Sequence, residues 1–281
     1  MPSSDSAGAS GLSTALGDVL IVGGGSMGRA ICAGLVGALG VEASRICVAN
    51  PGAEKRARLA ADYGVRTVAD AREGLPATTI VLAVKPNVVR EVARQLDAAG
   101  AGSALVVSIA AGISTERLSA CFAAPVPIVR VMPNTPLQCG HGMSAISAGA
   151  HAKEADVELV RALFSALGSA LVVDEDKMDV VTAVSGSGPA YFELIVETMA
   201  RSAEDLGLPY ETALELALQT MYGTAALIDE TGQGLPEAIA AVSSPGGTTV
   251  AALDAMRAGG LEQALDAGVR AAARRSAELG A

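Results

Sequence analysis

Apolar residues along this chain follow two regimes that change near residue 174. Before that point, short unbroken apolar runs alternate with stretches of helical spacing. Runs of this length that end in small or turn-forming residues read as parallel strands buried on both faces. Asp18 to Val22, Arg45 to Ala49, Thr79 to Val84, Ala104 to Ile109 and Pro127 to Met132 have this form, and Gly142 to Ile146 and Ala170 to Val173 follow as later strands. Between them, Ile31, Leu35 and Leu39 repeat at helical spacing, and a helix is expected from about Glu154 to Leu167. The alternation predicts a doubly wound, Rossmann-type α/β domain over residues 17–174.

After Asp174 the strand pattern stops. Pro189 suits a first helical position, and Phe192, Ile195, Val196, Met199, Ala203 and Leu206 keep helical register. Gly207 ends that helix and Pro209 begins another, with Leu214, Leu218, Met221, Ala225 and Ile228 along one stripe. Residues 175–281 therefore read as an all-helical domain. Its long apolar stripes are expected to be shared with a second subunit.

Composition narrows the function. The formal charge is −10, which argues against nucleic acid and anionic membranes as partners. Four scattered cysteines and two histidines offer no metal spacing, so no metal site is expected, and a reducing cytoplasm fits this cysteine usage. No apolar run approaches the ~20 residues that span a bilayer. Residues 1–16 are rich in Ser, Gly and Ala without a basic start. They read as a disordered tail rather than a secretory signal, and their deletion is expected to leave turnover unchanged.

The first candidate site follows the first strand. Gly23, Gly25 and Gly28 match G-x-G-x-x-G between a strand and a helix, with Ser26 and Met27 inside the turn. In that context glycines let the backbone approach a pyrophosphate at a helix N-terminus. The second strand ends at Asn50-Pro51-Gly52 with no acid for a ribose 2′-hydroxyl. Lys55 and Arg56 follow. They either lean the site towards NADP or are solvated helix charges. Later strand ends carry Ala83-Val84-Lys85-Pro86, Ala110-Ala111-Gly112 and, between two prolines, Pro133-Asn134. Small residues there leave room for a flat nicotinamide ring.

The second candidate is Ser243-Ser244-Pro245-Gly246-Gly247-Thr248-Thr249, placed before a helical pattern that begins near Val250. Free N–H groups and hydroxyls at a helix N-terminus suit a small carboxylate. The simpler reading is a threonine N-cap.

Taken together, these motifs resemble pyrroline-5-carboxylate reductase from about Val19 to Leu279. The resemblance rests on the glycine turn, Ala83-Val84-Lys85-Pro86, Ser108-Ile109-Ala110-Ala111-Gly112 and Arg130-Val131-Met132-Pro133-Asn134-Thr135-Pro136. It rests most on Gly186-Ser187-Gly188-Pro189-Ala190-Tyr191 and Ser244-Pro245-Gly246-Gly247-Thr248-Thr249. It implies reduction of 1-pyrroline-5-carboxylate to L-proline by NADPH, with NADH as the alternative. It also implies an intertwined homodimer through the helical domain, five of which make a decamer. The substrate carboxylate would lie on Ser244, Gly246, Gly247 and Thr248, with the Thr249 hydroxyl near the ring nitrogen as the catalytic contact. One departure concerns the adenosine ribose, where relatives often carry Asn and this chain has Asp70. A carboxylate there would weaken NADP binding and offset Lys55 and Arg56. The segment Leu235 to Val242 is about one residue shorter than expected.

Two other functions compete. A β-hydroxy-acid dehydrogenase needs a lysine in its second domain, and none occurs after Ser185; another cyclic imine stays open as substrate. A regulatory dinucleotide-binding protein without chemistry would have no use for a carboxylate site.

Overall fold

The computed structural model describes residues 6–280. Eight strands form one sheet in the order β3-β2-β1-β4-β5-β6-β7-β8. They are β1 (Val19–Val22), β2 (Ile46–Ala49), β3 (Arg66–Val68), β4 (Thr79–Leu82), β5 (Leu105–Ser108), β6 (Ile128–Pro133), β7 (Gly142–Ala148) and β8 (Gly168–Val172). Neighbours run parallel except β6 and β7, which are antiparallel. β3 was not anticipated: three residues, Arg66-Thr67-Val68, are too few to show a period.

The helices in chain order are α1 (Ser6–Leu16), α2 (Ser26–Gly37), α3 (Ala53–Tyr63), α4 (Pro86–Ala98), α5 (Thr115–Ser119), α6 (Glu154–Ser165) and α7 (Met178–Val181). After a π-helical turn at Thr182–Gly186 come α8 (Gly188–Asp205), α9 (Tyr210–Thr231), α10 (Leu235–Ala241), α11 (Thr248–Ala258) and α12 (Leu261–Gly280).

The continuous apolar runs have a direct cause. Alternate residues of each central strand enter different cores. Ile21, Val48, Val81 and Val107 pack on one face with Ile31 and Leu35 of α2 and Leu163 and Phe164 of α6. Leu20, Cys47, Ile80 and Val106 pack on the other with Val89, Ala93 and Leu96 of α4. Cys32, Cys47 and Cys121 are buried in these layers, as small core residues.

One expectation is corrected. The disordered tail proposed for residues 1–16 is a helix from Ser6 onwards; residues 1–5 lie outside the described residues. Leu16 is fully buried, Leu12 packs on the same core, and the Thr79 hydroxyl donates to the Leu16 carbonyl at 2.8 Å. The Ser/Gly/Ala-rich composition conceals this Leu12–Leu16 pair, which is spaced for one helix face. Packing groups the connecting residues 175–187 with the sheet. One compact unit runs to Ser187 and includes residues from Ala272 onwards; the other is Gly188–Ala271. Side chains of the connecting segment, described below, tie it to the first unit.

Within the second unit, α8 and α9 lie alongside each other. Val196, Ala200, Ala213 and Ala217 are buried, whereas Phe192, Leu194, Met199, Leu206, Leu216, Leu218 and Met221 stand exposed. Much of the expected stripe is therefore uncovered within one chain.

Candidate nicotinamide and carboxylate sites

Strand register brings the cofactor motifs to one edge of the sheet. Val22 pairs with both Ala49 and Leu82, Leu82 with Ser108, and Ser108 with Arg130. The segments that follow, Gly23–Gly28, Asn50–Arg56, Ala83–Pro86, Ala110–Gly112 and Met132–Asn134, thus all leave from the carboxyl ends of strands. The strand order reverses between β1 and β4, where open α/β sheets form a ligand crevice.

The glycine turn has no room for side chains at two of its three positions. Gly23 has φ +114°, and a Cβ there would run into the Ala83 carbonyl oxygen. A Cβ on Gly28 would strike the Gly23 carbonyl oxygen. Gly25 is different: nothing stands within 4 Å of its missing Cβ. It is the N-cap of α2 and brings no side chain to the exposed N–H groups there. An open, uncapped helix N-terminus is what a pyrophosphate requires.

Asn50, predicted from the end of β2, shapes this turn. Its buried side chain accepts from the Gly24 N–H at 3.2 Å and donates to the Gly52 carbonyl at 3.3 Å. Arg56 braces the backbone of the turn that precedes it. Its Nη1 donates to the carbonyls of Asn50 and Pro51 at 2.8 and 2.7 Å. Lys55 points elsewhere. Together with Gly24, Gly25, Ser26, Arg29, Arg58 and Gln138 it lines a cleft of about 250 Å³.

Arg29, Arg58 and Gln138 escaped the sequence reading. Arg29 stands directly after Gly28 and Arg58 three residues after Lys55, positions that could have pointed to them. Gln138 sits in a 3-10 turn after β6 and gave no such signal. Arg29 donates to the Tyr63 hydroxyl and to Asp62, both at 3.1 Å, and Arg58 contacts Glu54 at 3.4 Å. The cleft therefore presents two arginines with acidic neighbours and Lys55.

Asp70 caps a 3-10 turn and forms a bidentate pair with Arg72. The hydrogen bonds from the Arg72 guanidinium, followed by that from its backbone N–H, hold the Asp70 carboxyl down at about 2. The carboxylate is charged but its charge is matched beside it.

Ala83, Val84 and Pro86 are half-buried and Lys85 is exposed at the N-cap of α4. Ala110 and Gly112 are buried, and Ala111 is half-buried. Pro133 is buried at the end of β6. The Asn134 amide is engaged within the fold: Oδ1 accepts from the Met143 N–H at 2.8 Å and Nδ2 donates to Ser185 Oγ at 3.5 Å.

In the second unit, Ser244 to Gly247 forms a turn that leads into α11. Gly246 has φ +71°, a conformation that suits glycine. Gly247 is the N-cap of α11 with no side-chain capping bond, and its N–H donates to the Ser244 carbonyl at 2.9 Å. A Cβ on Gly247 would meet Ser244 Oγ at 2.6 Å, so the hydroxyl lies directly over the turn. Thr248 and Thr249 open the helix, so the simpler expectation of a threonine N-cap is not met. Ser244 and Thr248 are exposed and Thr249 is half-buried. The N-terminus of α11 is thus uncapped, with the hydroxyls of Ser244, Thr248 and Thr249 close to it in sequence.

Comparison with known proteins bears on both sites. A family model described as "Pyrroline-5-carboxylate reductase dimerisation" matches residues 175–279. One described as "NADP oxidoreductase coenzyme F420-dependent" matches residues 18–112. A pyrroline-5-carboxylate reductase from Pseudomonas aeruginosa is 41% identical over 93% of this chain and 96% of its own. One from Synechocystis is 42% identical over 92% and 97%. Among solved structures, a pyrroline-5-carboxylate reductase from Coxiella burnetii superposes with a TM-score of 0.87 at 36% identity, covering 95% of this chain and 99% of that one. The Plasmodium falciparum enzyme, described with NADP bound, gives 0.85 at 26% identity over 95% and 99%.

Proposed function

The chain belongs to the pyrroline-5-carboxylate reductase family, and we propose that it reduces 1-pyrroline-5-carboxylate to L-proline with NADPH. The observation that carries the cofactor half is the uncapped N-terminus of α2 at Gly25, opening on a cleft lined by Lys55, Arg29 and Arg58. The nicotinamide supplies the hydride; the chain's residues bind, orient and exclude water.

Gly23, Gly25, Ser26, Met27 and Gly28 hold the pyrophosphate on the α2 N-terminus, and Asn50 fixes their path. Lys55 provides the charge that favours a 2′-phosphate, and Arg56 acts through the backbone it braces. Asp70 leaves NADPH binding intact because Arg72 balances it. Ala83, Val84, Lys85 and Pro86, with Ala110, Ala111, Gly112, Pro133 and Asn134, wall the nicotinamide.

On the helical unit, the N–H groups of α11 and the hydroxyls of Ser244 and Thr248 receive the substrate carboxylate, at the turn made by Gly246 and Gly247. Thr249 donates or accepts at the ring nitrogen. A threonine hydroxyl is too weak an acid to protonate the ring alone, so it orients an imine that arrives protonated or takes its proton from water. Orientation of donor and acceptor carbons can lower a barrier by ~7–11 kcal/mol without further acid catalysis.

The helical region matched as a dimerisation domain makes the protein a homodimer, and we extend this to a decamer of five dimers. No helix among the described residues is long and apolar enough to cross a membrane, and we place the enzyme in the cytoplasm. Thr249→Ala tests the site. NADPH binding, read by nucleotide fluorescence, is expected to stay unchanged while kcat with pyrroline-5-carboxylate falls about tenfold or more, the size of one lost polar contact in the transition state. Full activity in that variant would remove Thr249 from the mechanism.

A further inference from the structure

We propose that Glu175 is a positioning residue for the nicotinamide pocket, holding in fixed relation the turns that follow β5 and β6. The inference rests on the functional reading above, in which Ala110–Gly112 and Pro133–Asn134 face the nicotinamide. Arg130 lies three residues before Pro133 and pairs in register with Ser108, two residues before Ala110. Its side chain is 6% exposed. Nη1 donates to Glu175 Oε1 at 3.3 Å, and Nη2 is buried without a hydrogen-bond partner. A guanidinium buried on one long contact is a poor source of stability; an apolar side chain would fill the space at lower cost.

The Glu175 carboxylate gains its geometry elsewhere. Oε1 also accepts from the Thr115 N–H at 2.7 Å, and Oε2 accepts from the Thr115 hydroxyl at 2.5 Å. Thr115 starts α5, three residues after Gly112. One carboxylate therefore joins the strand that leads to Pro133–Asn134 with the loop that leaves Ala110–Gly112.

The loop is gripped at its other end too. Gly112 has φ +76°, and a Cβ there would stand 3.0 Å from the Ser276 carbonyl and 3.1 Å from Gly280 N, in the last turns of α12. Ser276, itself buried, donates its hydroxyl to Asp179 Oδ1 at 2.6 Å. Glu175 thus binds the connecting segment to the loop at Thr115, and Asp179 binds it to α12, against which Gly112 packs. Without Glu175 the loop between Gly112 and Thr115 keeps its α12 contact and loses its tie to β6. A displacement of ~1 Å at the reacting carbons costs on the order of 10²-fold in rate.

Thr115→Val and Glu175→Gln test this in the full-length oligomer, with Asp176→Asn as a control because Asp176, among the described residues, pairs with solvent-facing Lys177. The readouts are KM for NADPH, KM for the imine and the primary isotope effect on kcat with both epimers of 4-deuterated NADPH. Both variants are expected to raise KM for NADPH about fivefold, the loss of one charge-assisted contact. They should also enlarge the isotope effect, and leave KM for the imine and the control unchanged. A purely structural role would lower the active fraction and hence kcat, leaving KM and the isotope effect as in wild type; that result overturns the proposal. If Glu175→Gln does not fold, Thr115→Val decides alone, since it keeps the Arg130–Glu175 pair. A wild-type enzyme that binds NADPH but turns over no imine would instead overturn the proposed function, and the NADPH affinities of the variants would still report on Glu175.

Discussion

In the proposed cofactor site Lys55 is assigned the 2′-phosphate: it lines the cleft, whereas Arg56 donates to the carbonyls of Asn50 and Pro51 and Arg29 and Arg58 have acidic neighbours. Lys55→Ala is expected to raise KM for NADPH about fivefold and to leave KM for NADH within about twofold, since an exposed contact to phosphate is worth roughly 1 kcal/mol. Equal losses with both nucleotides would exclude Lys55 from the 2′-phosphate. The buried thiols give a second prediction. Desolvation pushes the Cys32 thiol up from 9.0 to about 12 and also raises Cys47, while Cys139 is exposed. Alkylation of the native protein at pH 8, read by mass spectrometry, should mark Cys139 and spare Cys32. A folded pKa above the unfolded one favours the native state while the thiol is protonated. Stability is therefore expected to hold up to about pH 9 and to fall between pH 9 and 12, as the unfolded chain releases the proton first. The sequence disclosed the tight glycine turn and the place of Asn50 because each has a chemical reason visible in its neighbours. It could not disclose that Arg56 donates to carbonyls of the preceding turn or that Arg72 pairs with Asp70, since those depend on how two turns fold back on themselves.

Strands and helices were legible where burial is two-sided or the apolar stripe is long. β1, β2, β4 and β5 lie within a residue or two of their apolar runs, because parallel strands covered on both faces need unbroken apolar sequence. β3 and α1 were not legible. β3 is short and partly exposed, and α1 contributes only a few large side chains to the core. Yet α1 is attached through Leu16, Leu12 and the Thr79–Leu16 hydrogen bond. Leu16→Ala should cost about 2–5 kcal/mol, the range for emptying a fully buried leucine site. Deletion of residues 1–16 should lower the melting temperature measurably rather than act as removal of a tail. An unchanged melting temperature in both variants would show that the helix does not contribute to the core.

At the scale of the whole molecule, the exposed stripe of the helical unit is the main unbalanced feature. Phe192, Met199 and Leu218 on it are 57%, 46% and 45% exposed within one chain, and Leu194 and Leu216 of the same helices are 68% and 58% exposed. Contiguous apolar surface of this kind marks an interface, and the match to a dimerisation domain identifies the partner as a second copy. Leu194→Glu with Leu216→Glu is expected to yield a monomer by light scattering and to abolish turnover; a dimer that persists at low micromolar concentration would place the interface elsewhere. The sequence signalled this assembly through stripes too long for a domain of its size. The number of dimers in the assembly has no such local signature, because it depends on a second contact between already folded surfaces. The central claim concerns the reaction, and product analysis tests it most directly. Purified protein, NADPH and racemic pyrroline-5-carboxylate should give one L-proline for each NADPH oxidised, measured by absorbance at 340 nm together with chiral chromatography. NADPH oxidation without proline, or no oxidation despite bound nucleotide, would contradict it.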